Sequence, residues 1–582
     1  MASVWEVALA APLNTWFAAV NKHVTEPYLD EVFHVRQAQH YCQGHWDVWD
    51  PKITTPPGLY FISYLLSPIM GCSITALRAA NVICLVALCI IIRATYDARR
   101  KTNNESGPMS QILTYHSSLN IVLFPPIFFF SALYYTDIAS TLSVMASYWY
   151  FLIQLSNKET TFTGTMIQVV LGIISLTFRQ TNIFWVAVGP AALTAIVELD
   201  RGHRVVKDSM YRRTQGFGDT TYSVAKTSWK MDVIYDPPAK DARIEDYLRT
   251  TVSIVVCAAK AMTQPKRVAR LATALAPYIT LMVLFASFIL WNGSVVLGDK
   301  SNHNATIHIA QMLYLWPFIA FFAWPLLLPH FILLPLIFIS RLGQLAHVEP
   351  LQVFRRRDFL PRMLISFGFL ILALVIVRFN TIVHPFTLAD NRHYNFYIFK
   401  LLLRPWWVRY MVTPVYVVTA WACLEQRGEA PIADPSKSGE TSPASGRMAA
   451  AYEQGTEKRN TESSQRILRL ADGKSSAMVS FQLVCVLTAA LSLCSAPLVE
   501  PRYCIIPFVI WRIHLPLYAV DVTRDMGKKG KPSWSAVLAD YDFRVVIETI
   551  WFLIINAVTG YIFLYKTFEW KSEPGGLQRF MW

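Results

Sequence analysis

The chain has 582 residues, of which 54% are hydrophobic and 16% are charged, and its mean hydropathy is +0.34. A soluble protein of this length carries more charge, so most of the chain must face lipid or other helices. The formal net charge of +14 does not indicate nucleic-acid binding. The Lys and Arg residues fall in loops between apolar segments and form no basic stripe with interleaved aromatic residues.

Several apolar segments approach the roughly 20 residues that a helix needs to cross the hydrocarbon. The first, Val4–Val20, predicts a weak membrane helix that stays attached, because it lacks the basic beginning of a cleavable signal. The short segment Gly58–Gly71 contains a proline and predicts either a spanning helix or one that dips in and returns. Further spans are predicted at Ala76–Ala94, Thr114–Leu133, Ile138–Leu155, Gly164–Phe178, Ile183–Val197, Leu271–Trp291, Ala310–Leu328, Met363–Val377, Val408–Ala422, Ala477–Ala496, Cys504–Val520 and Val545–Leu564.

These segments predict an all-α polytopic membrane protein, a single membrane domain over residues 1–582 with about 12–14 transmembrane helices. The exact number stays open because the segments 58–71 and 329–340 are ambiguous. The basic loop 199–270 is assigned to the cytosol by its Lys and Arg residues. Residues 426–475 are rich in Ser, Gly, Pro and Glu, cannot bury a core, and predict a disordered cytosolic loop.

The nine cysteines show no CxxC spacing, and most lie in apolar segments, as Cys84, Cys89, Cys423 and Cys485 do. They are interpreted as small buried hydrophobic side chains. Neither a zinc site nor a disulfide framework is predicted.

With the basic loops in the cytosol, the acidic, histidine and aromatic residues gather on the opposite face, which also holds the end of the chain. Two glycosylation sequons, at Asn292 and Asn304, fall on that face, whereas the one at Asn104 falls on the cytosolic face and should stay unmodified. This asymmetry of the loops is the main functional signal in the sequence.

The first loop on that face, residues 26–57, begins with the adjacent carboxylates Asp30 and Glu31. A carboxylate can accept the proton of a sugar hydroxyl during glycosyl transfer, and withdrawal from water would suit it to the task by raising its pKa. The simpler interpretation is that both acids stabilise the start of a short helix near Val32, and on these residues alone it is favoured.

Arginines enter apolar segments from the same face at Arg179, Arg392 and Arg502, where a guanidinium could bind a lipid phosphate or merely extend towards headgroups. No Gly-rich phosphate loop, DxD pair or HExxH motif is present, which favours a lipid-linked sugar donor and argues against a metal. The other polar or aromatic candidates for a substrate cavity in these loops are His34, Trp46, Trp49, Asp50, Asp137, Asp299, Lys300, Asp390 and Tyr394.

The stretches EPYLDEVFHVRQAQHYC, WDPKITTPPGLY, FRQTN, WNGSVVLGDKS, LADNRHYNFY, EPRYCIIPF and QRFMW closely resemble the family of dolichyl-phosphoglucose-dependent α-1,2-glucosyltransferases. These enzymes add the last glucose to the lipid-linked oligosaccharide in the endoplasmic reticulum. The resemblance runs from residue 26 to the last residue, but the loops 200–270 and 426–475 do not contribute to it. Where the family usually has TLPGLY, this chain has Thr55-Pro56-Pro57-Gly58, a change that touches no reactive group.

The resemblance implies a C-type glycosyltransferase fold, a membrane location in the endoplasmic reticulum with a lumenal site, a dolichyl-phosphate glucose donor, a diglucosylated dolichyl-pyrophosphate oligosaccharide acceptor, and an inverting transfer with neither cofactor nor metal. Asp30 is assigned as the base, with Glu31 as the runner-up. Arg392 and His393, supported by Arg502, are assigned to the departing phosphate. Apart from substrates and membrane lipids, no obligate protein partner and no nucleic acid is expected.

The main alternative is a polytopic transporter or lipid flippase, since charged residues in such proteins often mark solute paths. Transporters usually show paired halves with broken helices at the midplane, and no such repeat is visible. A non-catalytic subunit with the same fold is a third possibility, but such a subunit would lack the base that this sequence retains.

Overall fold

The computed structural model describes residues 2–102, 108–156, 161–202, 220–239, 242–300, 307–342, 363–383, 385–428, 477–496, 498–516, 541–570 and 573–582. Almost all regular structure in these ranges is helical. The helices of the first half are α1 (Ala2–His23), α2 (Glu31–Cys42), α3 (Gly58–Met70), α4 (Ile74–Thr102), α5 (Pro108–Leu123), α6 (Pro125–Phe130), α7 (Thr136–Ser156), α8 (Phe162–Leu176), α9 (Gly189–Leu199), α10 (Thr221–Met231) and α11 (Ile244–Met262).

The second half continues the helical pattern and ends in a small antiparallel hairpin, β1 paired with β2. Its elements are α12 (Pro265–Asn292), α13 (Ala310–Leu342), α14 (Met363–Phe379), α15 (Pro385–Ala389), α16 (Tyr394–Leu403), α17 (Val408–Met411), α18 (Thr413–Gly428), α19 (Val479–Cys494), α20 (Ile505–Ile513), α21 (Phe543–Tyr565), β1 (Phe568–Trp570) and β2 (Glu573–Gln578).

Six helical segments in the described ranges are long and apolar enough to cross a membrane, which confirms the predicted all-α, multi-pass class. They are Ile74–Arg100, Thr136–Leu155, Gln180–Leu199, Pro265–Asn292, Ala310–Ile332 and Phe543–Tyr565. Four shorter apolar helices accompany them, at Gly58–Met70, Phe162–Leu176, Leu364–Phe379 and Val479–Cys494. The predicted total of 12–14 crossings stays a prediction, and the predicted disordered loop 426–475 lies outside the described residues from residue 429 onward.

The cysteine prediction is wrong for two residues, because Cys42 and Cys72 form a disulfide with their Cα atoms 6.6 Å apart. Cys42 is the last residue of α2 and Cys72 lies between α3 and α4, so neither is in an apolar segment, and their separation of 30 residues matches no spacing motif. The prediction holds for Cys84 and Cys423, which are buried and free of disulfides.

This disulfide also fixes the course of α3, which lies between the two cysteines. The bond joins Cys72, which follows α3, to Cys42 at the end of α2, so the C-terminal end of α3 is held beside the loop that precedes this helix. A helix of 13 residues spans only about 20 Å, at 1.5 Å per residue, which is less than the roughly 30 Å of the hydrocarbon. The short length favours the returning course of residues 58–71, which stays a prediction.

A break in the predicted span Thr114–Leu133 directs several residues towards the first loop. Phe124 precedes a proline and has extended dihedrals (φ −52°, ψ 121°), so α5 ends at Leu123 and α6 begins at Pro125. The Phe124 ring stacks on Phe508 with centroids 3.9 Å apart, which locks the break into the core. Residues 131–135, which follow α6, therefore lie beneath the first loop.

The basic segment 199–270 contains two helices that the sequence analysis did not predict, α10 and α11. They pack together through small or polar side chains: α11 buries Thr250, Ser253 and Cys257 along one face. Asp236, which precedes α11, accepts hydrogen bonds from the backbone nitrogen and the hydroxyl of Ser480, at 2.9 and 2.6 Å. The segment is thereby fastened to the first turn of α19.

Candidate active site

The two carboxylates at the start of α2 have opposite surroundings. The turn that presents them is tight, with Leu29 in the left-handed region at φ 54°. Glu31 is the first residue of α2 and is fully buried (0% exposed), whereas the Asp30 side chain keeps 52% of its surface exposed. Adjacent acids in the sequence are therefore chemically different groups in the fold.

Glu31 makes a complete set of structural contacts. Its two carboxylate oxygens accept from Arg78 Nε and Nη2 at 2.8 and 2.7 Å, and Arg78 is itself buried. The backbone nitrogens of Tyr134 and Tyr28 donate to the same carboxylate at 2.8 and 3.2 Å. Such a saturated buried pair holds α2, α4 and the chain after α6 together, and it leaves no route from the Glu31 carboxylate to a substrate.

Asp30 faces a cluster of charges centred on Arg502, which lies in the 3-10 turn Pro501–Cys504 before α20. Arg502 Nη2 donates to Asp30 at 3.3 Å and lies 2.8 Å from a carboxylate oxygen of Glu500. A third carboxylate, that of Asp137, lies 3.9 Å from Arg502 Nη1. The rings of Phe130 and Tyr135 lie 5.6 and 5.5 Å from the same guanidinium.

Arg179 completes this cluster from a further element. Its backbone is extended (φ −148°, ψ 133°) before the turn Gln180–Asn182, and its Nη2 donates to Asp137 at 2.8 Å. The Arg179 guanidinium also lies 5.9 Å from the ring of Tyr503. Three carboxylates and two guanidinia therefore meet here, an excess of one negative charge when all are ionised.

The pKa of Asp30 is shifted in the direction opposite to the one that its partial withdrawal from water would cause. Burial by itself raises the pKa of this carboxyl, but the positive charge of Arg502, with contributions from His34 and His393 and the hydrogen bond from Arg502, lowers it below its usual value. The expectation of a raised pKa was wrong because the sequence did not reveal that Arg502 would lie beside Asp30. The group is a carboxylate at neutral pH.

His34 lies one turn along α2 from Asp30 and is buried. Its Nδ1 lies 2.6 Å from the Tyr60 hydroxyl. Burial lowers the pKa of His34 to about 4, against the opposite influence of Asp30, so the imidazole is neutral at pH 7. It offers a hydrogen-bonding group beside the carboxylate and no charge.

The second half of the site is built by residues 390–394. Arg392 is held by a fork of hydrogen bonds to Asp390, at 2.7–3.1 Å, and its guanidinium lies 4.4 Å from the Trp570 ring. His393 Nε2 lies 3.8 Å from Asp390. His393 is among the groups that lower the pKa of Asp30, which places this segment near the Arg502 cluster.

A strand-like segment at residues 578–582 joins the two halves. Met581 N donates to the Arg392 carbonyl at 2.9 Å, and its own carbonyl accepts from Tyr394 N at 3.2 Å. On the other side, the backbone nitrogen of Arg579 donates to the Tyr28 hydroxyl at 2.7 Å, and that hydroxyl donates to the Arg579 carbonyl at 2.9 Å. Tyr28 thus ties the turn that presents Asp30 to the segment that carries His393.

The structure brings most of the predicted residues together and leaves a few apart. Asp30, His34, Asp137, Arg179 and Arg502 form one cluster, and Asp390, Arg392, His393 and Tyr394 form its neighbour. The remaining predicted residues lie elsewhere around the first loop.

Trp46 packs on Phe61 with stacked rings 5.8 Å apart, away from the cluster, and Lys300 donates to the backbone carbonyl of Asn292. Asn292 uses its amide nitrogen on the carbonyls of residues 294 and 296, and Asn304 lies outside the described residues. Trp49, Asp50 and Asp299 gather at a separate groove.

The sequence analysis missed several residues of the site. Glu500, Tyr28 and Arg579 lie in stretches that were quoted for the family resemblance, so their position there was the available signal. Arg78 gave none, because it looks like an isolated arginine in an apolar helix. Its partner Glu31 lies 47 residues earlier in the chain.

Chemically, the arrangement offers one exposed carboxylate, ionised at neutral pH, next to a largely buried guanidinium and an imidazole. A carboxylate with this access can accept a proton from a hydroxyl. Guanidinium groups nearby can stabilise a departing phosphate.

Residues 24–513 match the DIE2/ALG10 family. The Dol-P-Glc:Glc(2)Man(9)GlcNAc(2)-PP-Dol alpha-1,2-glucosyltransferase of Emericella nidulans is 38% identical over 97% of this chain and 96% of its own length. The proteins of the same name from Aspergillus fumigatus and Rattus norvegicus are 37% and 28% identical, over 99% and 97% of this chain and 97% and 95% of their own lengths. Among solved structures, the Archaeoglobus fulgidus oligosaccharyltransferase is similar at 12% identity and a TM-score of 0.24, over 71% of this chain and 48% of that one, a likeness too low to support an argument.

Proposed function

Because the chain belongs to the DIE2/ALG10 family, we propose that it transfers glucose from dolichyl-phosphate glucose to a diglucosylated dolichyl-pyrophosphate oligosaccharide, forming the terminal α-1,2 linkage. The names of these relatives state both the donor and the acceptor. Their coverage of nearly the whole length of both chains supports carrying the activity over. The names of these relatives lend no support to a transporter or flippase.

The observation that carries the mechanism is the contrast between Asp30 and Glu31. Asp30 is the exposed carboxylate of the pair and is ionised at neutral pH, so we assign it as the general base. Glu31, the runner-up from the sequence, is reassigned to a structural role because Arg78 and two backbone nitrogens occupy its oxygens.

In the proposed reaction, Asp30 accepts the proton of the acceptor 2-hydroxyl as the hydroxyl oxygen bonds to C1 of the donor glucose. The bond between C1 and the phosphate oxygen breaks at the same time, and dolichyl phosphate leaves with one additional negative charge. One displacement inverts the anomeric centre, from the β-linked donor to the α-linked product. The single available base supports this inverting course.

The departing phosphate is assigned to His393, Arg392 and Arg502. Arg392 already bonds to Asp390, and Arg502 is shared among three carboxylates, so the phosphate would compete with these acids for the guanidinia. The charge that a metal ion can supply to a departing phosphate is assigned here to the guanidinium groups of Arg392 and Arg502, and metal independence is part of the proposal.

The location is proposed to be the endoplasmic reticulum membrane, with the site facing the lumen. The Cys42–Cys72 disulfide supports this orientation, because disulfides persist in the oxidising lumen and are rare in the cytosol. Cys42 lies in the same loop as Asp30, at the other end of α2.

The direct test is an assay of the purified protein with dolichyl-phosphate glucose and the diglucosylated lipid-linked acceptor, without added metal. We expect one glucose to be transferred, and methylation analysis of the product should show a new 2-substituted glucose. Failure to transfer glucose, accompanied by movement of either lipid across reconstituted vesicles, would favour the transporter alternative and overturn the proposal.

A further inference from the structure

An open groove of about 350 Å³ lies along α2. It is separate from the Arg502 cluster, which Asp30 joins just before the start of this helix. One wall is a helical face on which Phe33, Gln37 and His40 follow at spacings of three and four residues. The opposite wall is the returning segment 48–52, with Trp49 as its largest side chain. The volume falls within the usual range of small-ligand sites.

The two walls are held at a fixed separation. Gln37 donates to the Val48 carbonyl at 2.7 Å and accepts from the Asp50 backbone nitrogen at 2.9 Å. Behind the returning segment, the backbone nitrogen of Asp299 donates to the Pro51 carbonyl at 2.7 Å. The groove is therefore preformed, which lowers the entropic cost of binding.

The close approach behind the groove requires a glycine. Gly298 has φ +64°, and a Cβ atom there would lie 2.3 Å from the Pro51 carbonyl oxygen and 2.5 Å from that of Ile53. Any other residue at 298 would push the returning segment into the groove.

Two polar atoms among the residues that line this groove are buried and have no hydrogen-bond partner in the described part of the chain: His40 Nδ1 and Trp49 Nε1. Leaving such atoms unpaired is unfavourable, so a molecule whose hydroxyl groups pair with them would be stabilised in the groove. The indole donates, and the imidazole nitrogen can accept or donate according to its tautomer.

The remaining chemistry of the groove favours a neutral polyhydroxy ligand. Phe33 and Trp49 provide aromatic surface for the apolar faces of sugar rings. Arg36 and Lys52 are balanced in part by Asp50, and Lys52 lies 4.9 Å from the centroid of the Phe33 ring. Mixed charges around aromatic rings suit hydroxyl groups better than a dianion.

We propose that this groove binds the sugar residues of the acceptor that precede its reactive terminal glucose. The inference rests on the proposed function, and it assigns a second contact surface to the same substrate. Asp30 precedes α2 and His40 lies ten residues further on, about 15 Å at the helical rise. A glycan whose end reaches Asp30 therefore has the groove in line with its next residues.

The test compares a long and a short acceptor with the variant His40→Ala/Trp49→Phe, which removes the two unpaired groups and keeps an aromatic ring. The long acceptor is the diglucosylated lipid-linked oligosaccharide, and the short one is a single α-glucose on the same lipid pyrophosphate. For the long acceptor we expect KM to rise about 10-fold or more, as for the loss of one or two hydrogen bonds. The kcat, the KM for the donor and all constants for the short acceptor should not change.

Trp291→Phe is the matched control, because that tryptophan lies at the end of α12, away from the groove, and is 80% exposed. Equal KM values for wild type and variant with the long acceptor, or an equal rise for both acceptors, would overturn the inference. So would inhibition by inorganic pyrophosphate that the variant relieves, since this would identify a phosphate site.

Failure of the proposed function can be told apart from failure of the groove. If the wild type transferred glucose to neither acceptor, the function itself would be wrong. Calorimetric binding of the free diglucosylated oligosaccharide to wild type and variant would then test the groove without any turnover. Equal affinities in that measurement would reject the groove.

Discussion

Two arginines ten residues apart mark the two ends of α20, and their surroundings differ in a way that separates structure from chemistry. Arg512 pairs one-to-one with Glu548, at 2.7 and 2.8 Å, and both side chains are 0% exposed. Arg502 serves three carboxylates, and one of these, Asp30, is open to solvent.

The difference teaches how to interpret buried charge in a membrane protein. At Arg512 every strong interaction is intramolecular and matched, and Asn120 donates a further hydrogen bond to Glu548 at 2.8 Å. No group of this pair is left to bind a ligand. At Arg502 the acids are in excess and one lies at a surface, so the cluster can exchange an internal partner for a substrate.

The largest effect on the reaction should come from a change in the Arg502 cluster, where Asp30 is open to solvent. Asp30→Asn removes the proposed base while keeping the size of an exposed side chain, so we expect transfer to fall about 10³-fold with the thermal stability unchanged. Glu31→Gln should instead act on stability. It leaves Arg78 buried without its counter-charge, and we expect folded protein to be lost. Turnover assays and melting curves of both variants check this, and near-normal turnover by Asp30→Asn would contradict the assignment of the base.

The contrast between these neighbours also shows what the sequence could and could not reveal. Apolar segments predicted the helical, multi-pass class, and the Asp30-Glu31 pair together with the family resemblance predicted the loop proposed to be catalytic, because these signals are local. Which acid is exposed depends on Arg78 and Arg502, which lie 47 and 472 residues away. No periodicity carries information over such separations, and the same holds for the disulfide partners Cys42 and Cys72.

In the buried Arg512–Glu548 pair, Arg512→Met should destabilise the protein by about 3–5 kcal/mol, because Glu548 would keep a buried charge without a partner. The double variant Arg512→Met/Glu548→Met should recover most of that loss. Denaturation in detergent measures both. A single variant as stable as wild type would show that the pair is not the closed unit described here.

The loop that holds Asp30 can be loosened without touching its charges. Cys72→Ser should cost about 3 kcal/mol, since the disulfide no longer restricts the unfolded chain. The transfer rate per folded molecule should stay near wild type, because neither sulfur lies in the charge cluster. Cys494→Ser serves as the control, and an equal loss of stability in the two variants would contradict a specific contribution of the disulfide.

Arg502 itself should control the pH dependence. The pKa of Asp30 is lowered chiefly by Arg502, against its partial withdrawal from water, so the wild type should keep its base ionised to a lower pH than an ordinary aspartate does. In Arg502→Gln burial prevails, the pKa of Asp30 rises, and the acidic limb of kcat/KM should move to higher pH.

A drop of about 10–100-fold in rate should accompany this shift, from lost stabilisation of the phosphate. Stability follows the same sign: the contribution of Asp30 is present above the pKa of the unfolded chain and is lost as pH falls through the lower folded value. An acidic limb at the same pH in both proteins would contradict this account of the cluster.

The smallest expected effect is that of a chelator. If guanidinium groups supply all the positive charge at the phosphate, EDTA should leave the transfer rate unchanged. A loss that added Mg²⁺ or Mn²⁺ restores would show that the open cluster around Arg502 works together with a metal ion.

The pairing of residues 392–394 with Met581, and of Tyr28 with Arg579, sets an order of assembly. The loop that bears Asp30 leaves the ribosome early, and its disulfide can close after only about 30 further residues. Its partners at 578–582 arrive after every membrane helix described here, more than 500 residues later. During most of its synthesis the protein therefore carries a shaped but incomplete site, and activity appears only when the late segment pairs. A chain interrupted before residue 578 would contain all of these helices and still lack the segment that joins the two halves of the site.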